Sequence, residues 1–246
     1  MLEIKKLKKY FGGVKAVDRC SFKISPNKIT ALIGPNGSGK TTIFNLISGI
    51  IKADSGNIIF QKKNITNIRP YKISNLGISR LFQQARLFNN LNIKENLRLA
   101  LDSKDTYFWK NLFGTTKSIK KDERKINTIL KIIDMTPHTN KYCRDLSYGQ
   151  RRLTEIARTI LKPHELLMLD EPVAGVTPPL RNRIARILLK LKEKGETILL
   201  IEHDMNFTLK VADHVIVLDE GKVIAEGTPL QIKNDTPRTE VRGILV

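Results

Sequence analysis

The chain has 246 residues, enough for one large domain with a well-filled core. Lysine and arginine outnumber aspartate and glutamate by 43 to 24, a formal net charge of +19; this raises the question of anionic partners, yet the charges are scattered as on a solvated surface, without an aromatic-interleaved basic stripe, zinc spacing or RNA-binding signature. Cys20 and Cys143 fit no metal or redox spacing, the Met1–Lys6 run lacks the apolar core of a signal peptide, and no apolar run approaches the roughly 20 residues of a spanning helix, so the expectation is a reducing cytosolic compartment, with any membrane reached through a partner.

In chain order, residues 2–24 alternate apolar and polar (Leu2, Ile4, Leu7, then Val14, Ala16, Val17, Phe22, Ile24), which predicts two strands joined at Gly12-Gly13. Tyr10 and Phe11 fall at that turn. An aromatic there can stack on a planar ring or simply close the hairpin, and the residues alone leave both readings open.

Ile29-Thr30-Ala31-Leu32-Ile33 is apolar and β-branched, a buried strand. Gly34-Pro35-Asn36-Gly37-Ser38-Gly39-Lys40-Thr41 follows and fits G-x-x-x-x-G-K-[ST]. Thr42 onward reads as a helix, with Ile43, Leu46, Ile47 and Ile50 at apolar spacing. Strand, glycine loop and helix is the context this phosphate-binding motif requires. Glycines let backbone N–H groups turn inward around an anion, and the helix N-terminus adds partial positive charge. Lys40 is the residue to reach β- and γ-phosphates, and the Thr41 hydroxyl the one to ligate Mg²⁺.

Asp54-Ser55-Gly56 reads as a turn, Asn57–Phe60 as a strand, Pro70 as the start of a short helix, and Gly77–Phe82 as a buried strand ending at Gln83-Gln84. From Leu91 helical spacing takes over (Ile93, Leu97, Ala100-Leu101), breaks across residues 102–118 with Tyr107, Phe108, Trp109 and Phe113, and resumes from Ile119 to Ile133. Leu146-Ser147-Tyr148-Gly149-Gln150 precedes an amphipathic helix that Pro163 ends; Ser147 and Gln150 have capping-box spacing, which makes this helix N-terminus a second candidate anion site.

Leu166–Asp170 is an apolar strand closed by two carboxylates, Asp170 and Glu171. At the C-terminal edge of a parallel sheet such acids face the ligand crevice, where one can hold Mg²⁺ and the other can orient a water. Thr177-Pro178-Pro179 opens a further helix that stops at Gly195, Thr197–Ile201 is another buried strand, and Glu202-His203-Asp204 follows it. Val215–Leu218 and Lys222–Glu226 form a hairpin, Thr228-Pro229 opens a short helix, and the polar tail starts at Asp235. This βα alternation implies a doubly wound core interrupted by a helical insertion near 91–162.

With the P-loop, Leu146–Gln150, Leu169-Asp170-Glu171 and Ile201-Glu202-His203 in this order, the chain resembles the nucleotide-binding subunits of ABC transporters over nearly its whole length. Leu146–Gln150 looks like the LSGGQ signature with Tyr148 in place of a glycine. Phe82-Gln83, Ala174–Pro178 and Ile201–Asp204 look like the Q-, D- and H-loops, with Thr177 where an aspartate or asparagine is usual. Arg80–Phe88, the 102–118 insertion, Leu146–Arg158, Glu202–Met205 and Glu226–Pro229 are similar to the branched-chain amino acid importers; Glu171–Gly175 is also similar to the urea-transporter ATPases.

The resemblance implies one α/β domain with a P-loop NTPase (RecA-like) core. The core and an N-terminal antiparallel β subdomain occupy 1–90 and 163–246, and 91–162 form an inserted α-helical subdomain. It implies ATP and Mg²⁺ as cofactors and a head-to-tail dimer with a second ATPase subunit, identical or related. Gly34, Pro35, Asn36, Gly37, Ser38, Gly39, Lys40, Thr41 and Thr42 of one subunit would then face Ser147, Tyr148, Gly149 and Gln150 of the other. Phe11 would stack on adenine in preference to Tyr10; Thr41, Asp170 and Gln83 would support Mg²⁺; Glu171 would act as base; Gln83 and His203 would complete the catalytic set. The partners implied are transmembrane permease subunits and, indirectly, a periplasmic or extracellular binding protein, at the cytoplasmic face of the membrane. A soluble ABC ATPase acting on nucleic acid or ribosomes is the alternative; one cassette without sustained heptads argues against it. The neighbourhood of Ala85, Arg86, Leu87 and Phe88 is the expected permease-docking surface.

Overall fold

The computed structural model describes residues 1–82, 87–101 and 116–234, with the side chains of 116–119 outside that set. Gln83, Ala85, Arg86 and the four aromatics of the insertion therefore lie outside the described residues.

Two sheets carry the fold. β1 (Leu2–Phe11), β2 (Val14–Ile24), β4 (Ser55–Phe60) and β5 (Lys63–Asn64) form an antiparallel sheet in the order β2-β1-β4-β5. β3 (Ile29–Ile33), β6 (Ile78–Leu81), β7 (Leu166–Asp170), β8 (Ile198–Ile201), β9 (His214–Asp219) and β10 (Lys222–Gly227) form the second, in the order β10-β9-β3-β8-β7-β6. Every pairing from β9 to β6 is parallel, and β10 closes the edge antiparallel. The helices are α1 (Lys40–Ile47), α2 (Pro70–Asn75), α3 (Ile93–Leu101), α4 (Thr116–Ile132), α5 (Tyr148–Leu161), α6 (Pro178–Glu193), α7 (Met205–Val211) and α8 (Pro229–Asn234).

The parallel strands read as continuous apolar runs because both faces are covered. Alternation then sorts each strand's residues between two cores. Leu32, Leu166, Met168, Leu199, Ile201, Ile216 and Leu218 pack with α1, Ile73 of α2 and the antiparallel sheet. Ala31, Ile33, Leu167, Leu169, Ile198, Leu200, Val215 and Val217 face the opposite core with α3 to α8. A fully buried Leu or Ile in such a layer contributes roughly 1.5–3 kcal/mol. In α5 the apolar stripe is Leu153, Ile156 and Ala157, and in α6 it is Ile184, Ile187, Leu188 and Leu191, as helical spacing requires.

Three local expectations change. Ile50 is not on α1: the helix stops at Ile47, Ser48 caps it, and Ile50 is exposed beyond Gly49. Ser55 and Gly56 are not a turn but the start of β4. Ser55 pairs with Lys8, and Gly56 at φ +90 lets β1 cross so closely that a Cβ there would lie 2.4 Å from the Lys6 carbonyl oxygen. The last three residues of the 102–118 segment, Thr116 to Ser118, already belong to α4.

Candidate functional site

The parallel pairings align the ends of β3, β7 and β8, so the segments leaving them share one edge of the sheet. The Gly34–Gly39 loop leaves β3 there. Position 34 admits only glycine, since a Cβ would stand 2.1 Å from the Leu218 carbonyl oxygen. Gly221 N–H donates to Ser38 O at 3.1 Å, which pins the loop to the β9–β10 turn. α1 then opens with Gly39 as N-cap and no side chain capping it, so its first N–H groups are presented to an anion.

Lys40 is buried, 7% exposed. Its ammonium donates to Gly34 O at 2.7 Å and Pro35 O at 2.8 Å, with Ser38 Oγ at 3.5 Å. Burial lowers its pKa, opposed by the charges of Glu171 and Asp170, which places both carboxylates within electrostatic reach of the loop.

Asp170 ends β7 and is 3% exposed. Its Oδ2 accepts from Arg80 Nη2 at 2.8 Å. The Arg80 guanidinium lies 5.3 Å from the Phe44 ring centre and 4.8 Å from that of Phe82, and its Nη1 donates to Asn45 Oδ1 and Ser48 Oγ on the α1 side. Arg80 thus ties the strand carrying Asp170 to the helix carrying Lys40.

Glu171 turns out of the strand with a left-handed φ of +47. Its N–H donates to Ile201 O at 3.0 Å, and its carbonyl accepts from Arg152 Nη2 at 2.6 Å. Because Asp170 pairs with Ile201, Glu171 stands beside the segment leaving β8, and His203 Nδ1 lies 3.9 Å from Glu171 Oε1. Glu202, between them in sequence, points the other way and is fully buried. Its carboxylate accepts from Val173 N–H at 3.2 Å and from its neighbour's, His203, at 3.3 Å. Burial pushes its pKa up to about 7.

The β1–β2 hairpin abuts the loop: the Ala16 carbonyl oxygen lies 2.3 Å from where a Cβ on Gly39 would stand. Phe11 at its tip is 49% exposed, with Lys9 Nζ 5.2 Å from the ring centre. The Tyr10 hydroxyl instead donates to Asp18 Oδ1 at 2.8 Å, which ties Tyr10 to the hairpin and leaves Phe11 as the presented ring.

At the start of α5 the capping box forms. Gln150 N–H donates to Ser147 Oγ at 3.3 Å, and Ser147 N–H to Gln150 Oε1 at 3.1 Å. This helix end is exposed, and among the described residues no hydrogen bond or ion pair joins Ser147, Tyr148, Gly149 or Gln150 to the Gly34–Thr42 segment. The Tyr148 hydroxyl reaches Ala174 O at 3.0 Å. Phe88 is exposed beneath Arg158, whose guanidinium is 5.1 Å from the ring centre.

The donors suit a hard divalent cation, since the Thr41 hydroxyl and Asp170 carboxylate offer oxygen. Among the described residues no group of three or more His, Cys, Asp or Glu forms a metal cage. A Mg²⁺ ion here would rely on substrate oxygens and water for most of its shell, which is its usual habit. Sequence reading misses three residues of this edge: Arg80, Arg152 and Glu202. Only the i, i+3 spacing of Arg152 and Glu155, paired at 3.2 Å and both buried, hints at one of them.

Residues 17–174 match the sequence profile described as ABC transporter. The chain is 36% identical to the probable branched-chain amino acid transport ATP-binding protein LivG of Archaeoglobus fulgidus, over 98% of this chain and 94% of that one. It is 35% identical to the high-affinity branched-chain amino acid transport ATP-binding protein LivG of Escherichia coli, over 96% and 94%. Among solved structures, a nucleotide-free ATP-binding cassette from an ABC transporter superposes with a TM-score of 0.84 at 34% identity, covering 99% of this chain and 98% of that one. The ADP conformation of such a cassette gives 0.84 at 35% identity, covering 99% and 97%.

Proposed function

The chain belongs to the ABC transporter family, and from that premise we propose that its ATP hydrolysis energises uptake of branched-chain amino acids through a separate membrane permease, the activity carried in the names of its relatives. The observation that carries the mechanism is the meeting of Lys40, Glu171 and His203 at one sheet edge, with His203 and Glu171 3.9 Å apart and Lys40 sensing the Glu171 charge.

The residues then divide the work. The Gly34–Thr42 segment wraps the phosphates with the backbone N–H groups of every residue but Pro35, and Lys40 exchanges its two carbonyl acceptors for β- and γ-phosphoryl oxygens. Phe11 stacks on the adenine. Thr41, Asp170 and Gln83 are the residues that would hold Mg²⁺, which when bound offsets charge on the transferring phosphoryl group. Glu171 orients the attacking water and takes its proton. His203 holds the γ-phosphoryl oxygens, and Gln83 completes the catalytic set.

Ser147, Tyr148, Gly149 and Gln150 serve a second subunit's nucleotide: this exposed helix N-terminus, which among the described residues has no hydrogen bond or ion pair to its own phosphate loop, is free to complete a site across a dimer. The second subunit is an identical or related cassette. In this reading 1–90 with 163–246 is the nucleotide-binding core and 91–162 the helical subdomain that presents α5. No helix among the described residues is long and apolar enough to cross a membrane. In this reading the chain attaches to the cytoplasmic face through permease subunits, served on the far side by a substrate-binding protein. The face around Leu87 and Phe88 is the docking side.

Reconstitution of the chain with its permease and binding protein in vesicles tests this. ATP-dependent accumulation of labelled leucine, absent with Lys40→Ala, is the expected result. Uptake of urea without leucine would overturn the substrate assignment.

A further inference from the structure

Arg152 lies on the second turn of α5 and is 4% exposed. All five of its N–H donors have acceptors. Nε donates to Pro172 O at 3.1 Å. One terminal nitrogen, Nη1, serves Phe82 O at 3.3 Å and Glu155 Oε2 at 3.2 Å. The other, Nη2, serves Asp170 O at 3.2 Å and Glu171 O at 2.6 Å. Full use of a guanidinium's donors on one set of acceptors is a strongly determined arrangement.

The acceptors are unusual. An extended chain turns successive carbonyls to opposite sides. Here three successive carbonyls, those of residues 170, 171 and 172, accept from one guanidinium, and the left-handed φ of +47 at Glu171 accompanies that break in alternation. A non-glycine residue in this region is strained and persists only where its surroundings hold it. Arg152 supplies much of that hold from one side, while the Ile201 carbonyl holds the Glu171 N–H from the other. One turn back on the same helix face, the Tyr148 hydroxyl bonds Ala174 O, and its ring lies 3.6 Å from where a Cβ on Gly175 would stand.

We infer that Arg152 is a positioning residue for ATP hydrolysis: it sets the backbone of Glu171, and so the direction of the carboxylate, from the helix whose N-terminus is offered to the second subunit's nucleotide. This rests on the role assigned to Glu171 above. Any movement of α5 that accompanies closure on one nucleotide is carried through Arg152 and Tyr148 into residues 170–174 of the other site. Lysine cannot substitute, because one ammonium has three donors and no fork to spread over four carbonyls.

The test is a double-mutant cycle between Arg152→Lys and Glu171→Gln, read by single-turnover hydrolysis and by affinity for a fluorescent ATP analogue. Arg152→Lys should lower the hydrolysis rate at least tenfold with affinity changed less than twofold. Added to Glu171→Gln it should cause no further loss, since it acts through that carboxylate. Tyr148→Phe, which removes one exposed hydrogen bond and carries little folding risk, should lower the single-turnover rate two- to fivefold at saturating nucleotide. An unchanged rate in both single variants, a parallel loss of affinity, or a further tenfold loss in the double variant would each overturn the inference. If Glu171→Gln itself retains the wild-type rate, the role of Glu171 fails first, and the two failures are told apart.

Discussion

The Lys40 ammonium donates to the Gly34 carbonyl oxygen at 2.7 Å, so the loop's only lysine lies across the mouth of its own cradle. Nucleotide binding must therefore exchange one set of charge-assisted hydrogen bonds for another, and Lys40 is already held within the loop that needs it. Lys40→Ala is expected to abolish steady-state ATPase and weaken ATP binding roughly 10- to 100-fold, the loss of hydrogen bonds from a charged donor. Isothermal titration and a phosphate-release assay check this; undiminished hydrolysis would rule out the phosphate-loop assignment.

Glu171→Gln keeps the side chain's size and removes the base. Hydrolysis should fall by about 10²- to 10⁴-fold, the usual worth of a positioned base, while ATP binding is retained. The variant should then accumulate as an ATP-dependent dimer on size exclusion, and a monomer at saturating ATP would count against the composite site.

Phe11→Ala should raise KM for ATP and leave kcat within twofold. Stacking of a base on an aromatic ring is worth about 1–3 kcal/mol, which predicts a rise of roughly 5- to 150-fold. Phe11→Tyr should bind like wild type, because only the ring face is used. Tyr10→Phe, which breaks only the Asp18 hydrogen bond, should leave KM unchanged.

Glu202 makes stability depend on pH in a definite direction. Its folded pKa, pushed up to about 7 by burial with the Glu171 charge adding to it, stands above the ordinary carboxylate value. The folded state thus holds a proton that the unfolded chain releases, and this group's contribution to stability declines as pH rises from about 4.5 to about 7. Backbone N–H groups of Val173, His203 and Asp204 oppose the shift without cancelling it. Across that window the difference in unfolding free energy between wild type and Glu202→Gln should move by about 3 kcal/mol. Urea midpoints measured from pH 5 to pH 8 supply the comparison; parallel profiles would refute it.

Much of this site is legible in sequence because the motifs are local. Gly34–Thr41 is a single loop whose chemistry is set by its own glycines and lysine, and the Ser147–Gln150 box is closed within four residues. The parallel sheet is legible for the same reason, since strands covered on both faces read as unbroken apolar runs. Arg152 and Glu202 are not legible, because Arg152 bonds carbonyls of distant segments and Glu202 accepts from backbone N–H groups, and a backbone group carries no residue identity. Gly56 reads as a turn because glycine after Asp-Ser usually is one; only the close crossing by β1 at Lys6 shows that it serves a bulge. Ile50 fits the helical period, but the chain has already turned at Gly49, and period alone does not count where a helix stops.

The left-handed backbone at Glu171 has an evolutionary consequence. A residue indifferent to φ, such as glycine or asparagine, would relax this position and raise the melting temperature while removing the base. Robustness and turnover therefore pull in opposite directions at one codon. A population selected for heat resistance alone, with transport not demanded, should lose Glu171 early, and one selected for uptake at high temperature should keep it and gather its stabilising changes elsewhere.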